Sequence, residues 1–173
     1  MKIAILLFDN FTALDIIGPY EVLAKMPGAE ISFVGHEKRE YADSYGLKLS
    51  AGYSIDELTQ ADVLLIPGGF GIDKLLDNSE ILDWIRKVDS TTKWITSVCS
   101  GSLLLAQAVL LDGKKCTTHW RRKEQLRQYN VNVVDERYIK DGKYITSAGV
   151  SAGIDMALYL VSKIAGEMAA KMI

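Results

Sequence analysis

Short apolar runs alternate with stretches of helical spacing along the whole chain. Lys2–Phe8 is continuously apolar after its lysine, as a strand buried on both faces requires. A helical segment follows to about Lys25, and Glu30–Gly35 reads as a second strand. Tyr41–Ser54 is less regular and reads as a smaller β excursion. Asp62-Val-Leu-Leu-Ile is a third core strand, stopped by Pro67-Gly68-Gly69. Leu75–Val88 has helical spacing, with Leu75, Leu76, Ile81, Leu82, Ile85 and Val88 on its apolar side. Then come a strand at Trp94–Val98, a helix after Cys99, a short strand near Cys116–Thr118 and a polar helix through Arg122–Gln128. Val131–Lys140 and Lys143–Thr146, joined through Asp141-Gly142, carry a hairpin signal. From Ser151 onward a last amphipathic helix places Ile154, Leu158, Val161 and Ile164-Ala165 on one side.

This alternation predicts a mostly parallel sheet covered by helices on both faces, an α/β/α sandwich. No linker, repeat or low-complexity segment interrupts it, so residues 1–173 read as a single domain. In such sheets ligands bind beyond the carboxyl ends of the strands. That edge should carry Asp9–Asp15, Gly68–Gly71, Cys99-Ser100 and His119.

Cys99 carries the strongest chemical signal at that edge. It ends the strand Trp94-Ile-Thr-Ser-Val and opens the run Ser100-Gly-Ser-Leu-Leu-Leu, the arrangement of a nucleophile elbow. The turn exposes the sulfur, and the N–H groups of the following helix favour thiolate over thiol. A cysteine in apolar company otherwise behaves as a small hydrophobe. Cys116, mid-strand and without an elbow, fits that description. Asp15 is the natural proton partner for Cys99. It also fits a helix cap, because Thr12-Ala-Leu-Asp15 has the [ST]-x-x-[DE] spacing. The apolar Ile16-Ile17-Gly18-Pro19 that follows would desolvate the carboxyl and raise its pKa, and Gly18-Pro19 is expected to break a smooth helix.

Gly68-Gly69-Phe70-Gly71 lacks the third glycine of a dinucleotide loop, where Lys74 stands. It reads as a tight turn whose Gly69 N–H, with the Ser100 N–H, can hold negative charge developing on a substrate. His119, at a strand end, reads first as a hydrogen-bonded structural group that lines the site. His36 lies beside Glu37 in a polar loop and looks incidental. No HExxH, paired CxxC or GxxxxGK[ST] occurs, so metal and nucleotide-phosphate sites have no support.

Composition narrows the classes further. The net charge of −2, with acids and bases interspersed, gives no reason to expect nucleic acid. The basic pairs Lys114-Lys115 and Arg121-Arg122, the latter followed by Lys123, read as a solvated face. No apolar stretch approaches the ~18 residues that span a bilayer, so no membrane association is expected. Two cysteines without an export signal imply free thiols in a reducing compartment, hence a cytoplasmic protein.

With these residues in hand, the chain resembles the ThiJ/PfpI superfamily over nearly its whole length. The matching segments are Ala-Leu-Asp15-Ile-Ile-Gly-Pro-Tyr-Glu, Leu-Ile-Pro-Gly-Gly69, Val-Cys99-Ser-Gly-Ser, Lys-Cys-Thr-Thr-His119-Trp and Ile-Thr-Ser147-Ala-Gly-Val-Ser-Ala-Gly-Ile. The resemblance implies a flavodoxin-like, class I glutamine amidotransferase-like fold and a homodimer with the site near its interface. Leu-Asp-x-x-Gly-Pro and Thr-Thr-His-Trp look like the isonitrile hydratase branch and the related sensor domains of AraC-type regulators. That branch implies a cofactor-free hydro-lyase acting on a small-molecule substrate, with Cys99 as nucleophile and Asp15 as general acid/base. Ser100 departs from the threonine found in those hydratases, and it cannot complete the Cys-His dyad of protease-like members. The deglycase and chaperone branch has glutamate where this chain has Asp15. The competing expectations are a ligand sensor, disfavoured because no helix-turn-helix domain accompanies a chain ending at Ile173, and an oxidation sensor acting through Cys99.

Overall fold

A computed structural model describes residues 1–173. Its elements, in order, are β1 (Lys2–Leu6), α1 (Ala13–Leu23), β2 (Glu30–Gly35), β3 (Glu40–Ala42), β4 (Lys48–Ser50), β5 (Tyr53–Ser54) and β6 (Val63–Ile66). Next are α2 (Ile72–Leu75), α3 (Ser79–Asp89), β7 (Trp94–Val98), α4 (Gly101–Gln107), β8 (Lys115–Cys116), a 3₁₀ turn at Trp120–Arg122 and α5 (Lys123–Leu126). The chain closes with β9 (Asn132–Val133), β10 (Tyr138–Asp141), β11 (Tyr144–Ser147), α6 (Ala152–Ala165) and α7 (Glu167–Met172).

Seven strands form the central sheet in the order β10-β11-β7-β6-β1-β2-β5. All neighbours are parallel except the β10–β11 hairpin at one edge. The fold is flavodoxin-like. The apolar runs of β1 and β6 fit this position, because strands in the middle of a covered parallel sheet have no polar face to show. From β1 the chain steps outward to β2 and then returns to β6 on the other side. Right-handed crossovers in opposite directions place helices on opposite faces. One face holds α1 packed on α6, which also crosses β7, β10 and β11; the other holds α4 on β6 and β7, flanked by α2, α3 and α5. The strand order reverses between β1 and β6, and this switch point opens a crevice at their carboxyl ends. No helix is long and apolar enough to cross a membrane.

The structure corrects several local expectations. Gly18-Pro19 does not break α1, which runs through both residues. A proline forfeits one helical hydrogen bond, and the loss is tolerated here because the helix is clamped from outside. A Cβ at Gly18 would lie 2.8 Å from Ile154 Cγ1, and one at Gly153 3.2 Å from Pro19 Cγ, so the two helices pack through these glycines. The single helix expected over Leu75–Val88 is two, α2 and α3. Asn78 starts the second by accepting a 3.1 Å hydrogen bond from the Ile81 N–H. The long strand expected over Val131–Lys140 is broken: β9 pairs with β8 in a separate ribbon, and only β10 enters the hairpin. The polar helix expected over Arg122–Gln128 is shorter, a 3₁₀ turn leading into α5. The buried stripe of α6 is Gly153, Met156, Ala157, Leu160 and Val161, rotated from the expected face, and Ile154 and Leu158 are only half-buried.

Candidate active site

Three adjacent strands, β1, β6 and β7, deliver the central residues of the crevice. Asp15 follows β1 in the first turn of α1, Gly68 and Gly69 follow β6, and Cys99 ends β7. At Cys99 the backbone turns with φ 56°, a left-handed conformation that costs a non-glycine residue on the order of 1 kcal/mol. The surrounding structure determines that turn from several sides. The Cys99 N–H donates to the Ser147 carbonyl at 3.0 Å, tying the residue to β11. The Cys99 carbonyl accepts from Thr118 Oγ1 at 2.9 Å and from Ser102 Oγ at 3.4 Å. Gly149, itself at φ 75°, packs so close that a Cβ there would stand 2.4 Å from Cys99 Cβ. A Cβ at Gly68 would stand 2.6 Å from the Ser100 nitrogen. The elbow is therefore built where backbone approaches backbone, with no room for side chains.

Asp15 does not act as a cap. Thr12 makes no side-chain cap bond, and its N–H donates to the Gly68 carbonyl at 2.8 Å. The Asp15 carboxyl is fully buried; its Oδ2 accepts the Gly68 N–H at 3.0 Å, while Oδ1 has no hydrogen-bond partner. Burial pushes its pKa up to about 7, partly offset by the Gly68 N–H and by the neighbouring Cys99 thiol. A carboxyl so placed can hold or release a proton near neutral pH.

The thiol departs from expectation. Cys99 is only 8% exposed, and burial, together with the charge of Asp15, pushes its pKa up to about 12. Hydrogen bonds from the Ser100 N–H and hydroxyl pull it back only in part. The helix end does not win because α4 is short and the sulfur is largely cut off from water, so the resting group is a thiol. The anticipated oxyanion donors lie beside it. The Ser100 N–H favours the thiolate, and the Gly69 N–H donates to Ser100 Oγ at 3.1 Å. The Gly69 donor thus meets a substrate only when the serine hydroxyl turns aside.

A cavity of about 300 Å³ opens onto Cys99 and Ser100, walled by Thr12, Gly69, Phe70, His119, Trp120, Arg121, Arg122 and Val150. His119 is half-buried, and its Nδ1 accepts the Arg121 N–H at 3.3 Å, leaving Nε2 to carry the proton of the neutral ring. Burial and the charges of Arg121 and Arg122 lower its pKa, so it stays neutral at pH 7. Arg122 and Lys123 depart from the reading of this basic run as a solvated face, whereas Arg121 is exposed. Arg122 and Lys123 are 20% and 19% exposed in their side chains and pair with Asp73 and Asp135. Sequence reasoning missed Phe70, Trp120, Arg121 and Arg122; the available signal was the run of Trp120 and two arginines directly after His119. No group of three His, Cys, Asp or Glu side chains is arranged to hold a metal ion. Cys116 is fully buried in the core, away from the cavity. His36 pairs with Glu80 on the surface.

Comparison with known proteins places the chain among relatives. Isonitrile hydratase of Pseudomonas putida is 36% identical over 173 residues, all of this chain and 76% of that protein. A helix-turn-helix-type transcriptional regulator of Pseudomonas aeruginosa is 30% identical over 125 residues, 71% of this chain but only 37% of the regulator. The crystal structure of a ThiJ/PfpI family protein from Pseudomonas syringae superposes with a TM-score of 0.95 at 31% identity, covering 99% of this chain and 72% of that one. The DJ-1/PfpI family matches residues 1–163, and the chain belongs to that family.

Proposed function

We propose that the chain is a cysteine-dependent, cofactor-free hydro-lyase that adds water to a small isonitrile and releases an N-substituted formamide. The observation that carries this reading is the buried pair of Asp15, with a pKa of about 7, and the Cys99 thiol held at the elbow beside it. Similarity to an isonitrile hydratase over the full chain supports the substrate class.

With a thiol pKa near 12, on the order of one molecule in 10⁵ holds a free thiolate at pH 7. Attack must therefore be coupled to proton removal, and the Asp15 carboxylate is the base in reach. As the thiol proton passes to Asp15, the sulfur forms a bond to the terminal isonitrile carbon. That carbon, left with an electron pair, takes the proton back from Asp15, giving a thioimidate, R–N=CH–S–Cys99. Asp15, again ionised, draws a proton from water as its oxygen adds to the same carbon. The C=N electron pair passes to the nitrogen, which takes the proton of the added hydroxyl as the carbonyl forms; the C–S bond breaks, R–NH–CHO leaves, and Asp15 returns its proton to the sulfur. Covalent attachment divides one difficult hydration into two shorter steps. The Gly69 and Ser100 N–H groups, once free of their resting partners, stabilise negative charge as it develops.

A simple aryl isonitrile provides the test. Wild type should produce the formamide, Cys99→Ala should produce none, and Asp15→Asn should lose a factor of about 10²–10⁴. Because Asp15 must start as carboxylate, wild-type turnover should fall as pH drops below about 7, and the residual Asp15→Asn rate should not follow that limb. Turnover that survives Cys99→Ala sinks the nucleophile assignment. Binding of the isonitrile without formamide in wild type would move the chain to the sensing role that the regulator's similarity suggests.

A further inference from the structure

Resting on the hydratase reading of Cys99 and Asp15, we propose that the pocket selects small isonitriles bearing an anionic group, a carboxylate above all, and that Arg121 binds that group. The basic run after His119 is not one uniform patch. Lys123 is engaged by Asp135 and Arg122 by Asp73, each in an ion pair. Arg121 is exposed and has no carboxylate partner; its guanidinium lies over the Trp120 ring, 4.9 Å from the centroid. It nevertheless walls the same cavity as Cys99, and no Asp or Glu contributes to that wall. The same positive field is felt at His119, whose pKa falls partly because of Arg121 and Arg122. An arginine without a counter-charge, at the rim of a cleft, concentrates positive potential where a ligand enters.

The rest of the wall suits the body of such a molecule. Phe70 and Trp120 are 76% and 67% exposed, large apolar surface held at the entrance with Val150 beside it. A volume of about 300 Å³ lies at the small end of ligand sites, room for one ring and short substituents. The reacting sulfur is nearly buried and the free cation is at the exposed rim. The substrate so selected carries its isonitrile toward the sulfur and its carboxylate toward the rim. The guanidinium offers a planar fork of donors that a carboxylate accepts in pairs. Because this contact is made in the ground state as well as the transition state, it should act mainly on KM.

The test compares 4-isocyanobenzoate with its methyl ester, which keeps the shape and removes the charge. In wild type at low salt the acid should exceed the ester by about tenfold in kcat/KM, mostly through KM. The ratio should shrink toward high salt, because an exposed cation is screened. Arg121→Gln should bring the ratio to about one, and Arg121→Lys should restore part of it. Each ratio is internal to one variant, so partial loss of folded protein cannot mimic the effect. An ester as good as the acid in wild type, or an acid preference that survives Arg121→Gln, overturns the proposal. If neither isonitrile reacts, the hydratase reading fails, and the anion site is judged by binding alone with benzoate and benzamide. Benzoate binding that exceeds benzamide and is lost in Arg121→Gln upholds the site, and equal binding of the two overturns it.

Discussion

The two cysteines of this chain look alike by the measures most often used to find reactive thiols. Both are buried, and burial raises both pKa values, to about 12 at Cys99 and about 11 at Cys116. An acid contributes to each rise, Asp15 at the first and Asp141 at the second. What separates them is architecture. Cys99 stands on a left-handed turn at the end of a central strand, against a fully buried carboxyl and at the base of a cavity. Cys116 lies within a two-residue strand, fully enclosed by core, and Asp141 is occupied by the Lys115 N–H at 2.9 Å. Under the proposed mechanism, thiol acidity alone would rank the pair wrongly. The lesson is that the reactivity proposed for Cys99 rests on a neighbour able to accept a proton and on access, not on a resting thiolate.

Stability should expose the largest difference between the two regions. Asp15 has its pKa raised from 3.8 to about 7 by burial, so the folded state holds its proton more tightly than the unfolded state. Its stabilising contribution is fully present below pH 3.8, declines between 3.8 and 7, and is gone above that range. The cost of ionising it in place is on the order of 4 kcal/mol. Asp15→Asn, which keeps an oxygen for the Gly68 N–H, should therefore gain on wild type as pH rises from 4 to 8. Urea unfolding of both proteins across that range reads the gap directly. Curves that stay parallel would mean that the carboxyl is not desolvated as described. No such pH-dependent gap is expected for Cys116→Ala, whose thiol remains neutral throughout the range.

A smaller effect should follow from crowding the elbow itself. Gly149 has φ 75°, and an added Cβ would lie 2.4 Å from Cys99 Cβ and 2.7 Å from Cys99 Cα. Neither the backbone angle nor the space admits a side chain. Gly149→Ala should cost about 2–3 kcal/mol through overpacking and strain. It should also displace the sulfur from Asp15, so turnover should fall further than stability accounts for. Thermal unfolding and kcat/KM on the same preparation separate the two. Full activity in a stable Gly149→Ala protein would show that the elbow tolerates movement and that its tight wrapping has no part in the chemistry.

What could be read from the sequence follows a physical dividing line. Strand β7 starts and stops where the apolar pattern says, because a central parallel strand is buried on both faces and punctuated by loops. Asp15 and Cys99 were legible as neighbours because both sit just past the carboxyl ends of strands in one sheet, a relation that topology alone supplies. Properties set by depth or by distant partners were not legible. The protonation of Cys99 depends on how completely the fold excludes water, which no local motif records. Arg122 looks like a surface residue until Asp73, 49 positions earlier, is brought against it. The buried face of α6 was misjudged because α1 packs against it through Gly18 and Gly153. A helix packed on a sheet and on another helix at once has no single apolar stripe to announce either contact.

The smallest expected effect bears most directly on the pair of thiols. Alkylation by iodoacetamide requires thiolate and access, and the two cysteines should differ in the second while sharing a deficit in the first. At pH 8 Cys99 should react on the order of 10³-fold more slowly than a free cysteine, because a pKa of about 12 leaves so little thiolate. Cys116, fully enclosed, should not react on the same timescale without unfolding. At this pH Asp15 is ionised and its charge opposes a second anion beside it, so Asp15→Asn should accelerate alkylation of Cys99 by up to about tenfold and leave Cys116 untouched. At pH 5.5 wild-type Asp15 is already protonated, and the acceleration should vanish. Peptide mass mapping of the alkylated protein distinguishes the two sites. A Cys99 that alkylates as fast as a free thiol would restore the thiolate expected from the helix end. A Cys99 unaffected by Asp15→Asn at pH 8 would mean that burial alone holds the proton on sulfur, and the carboxyl would lose its claim to be the group that moves it.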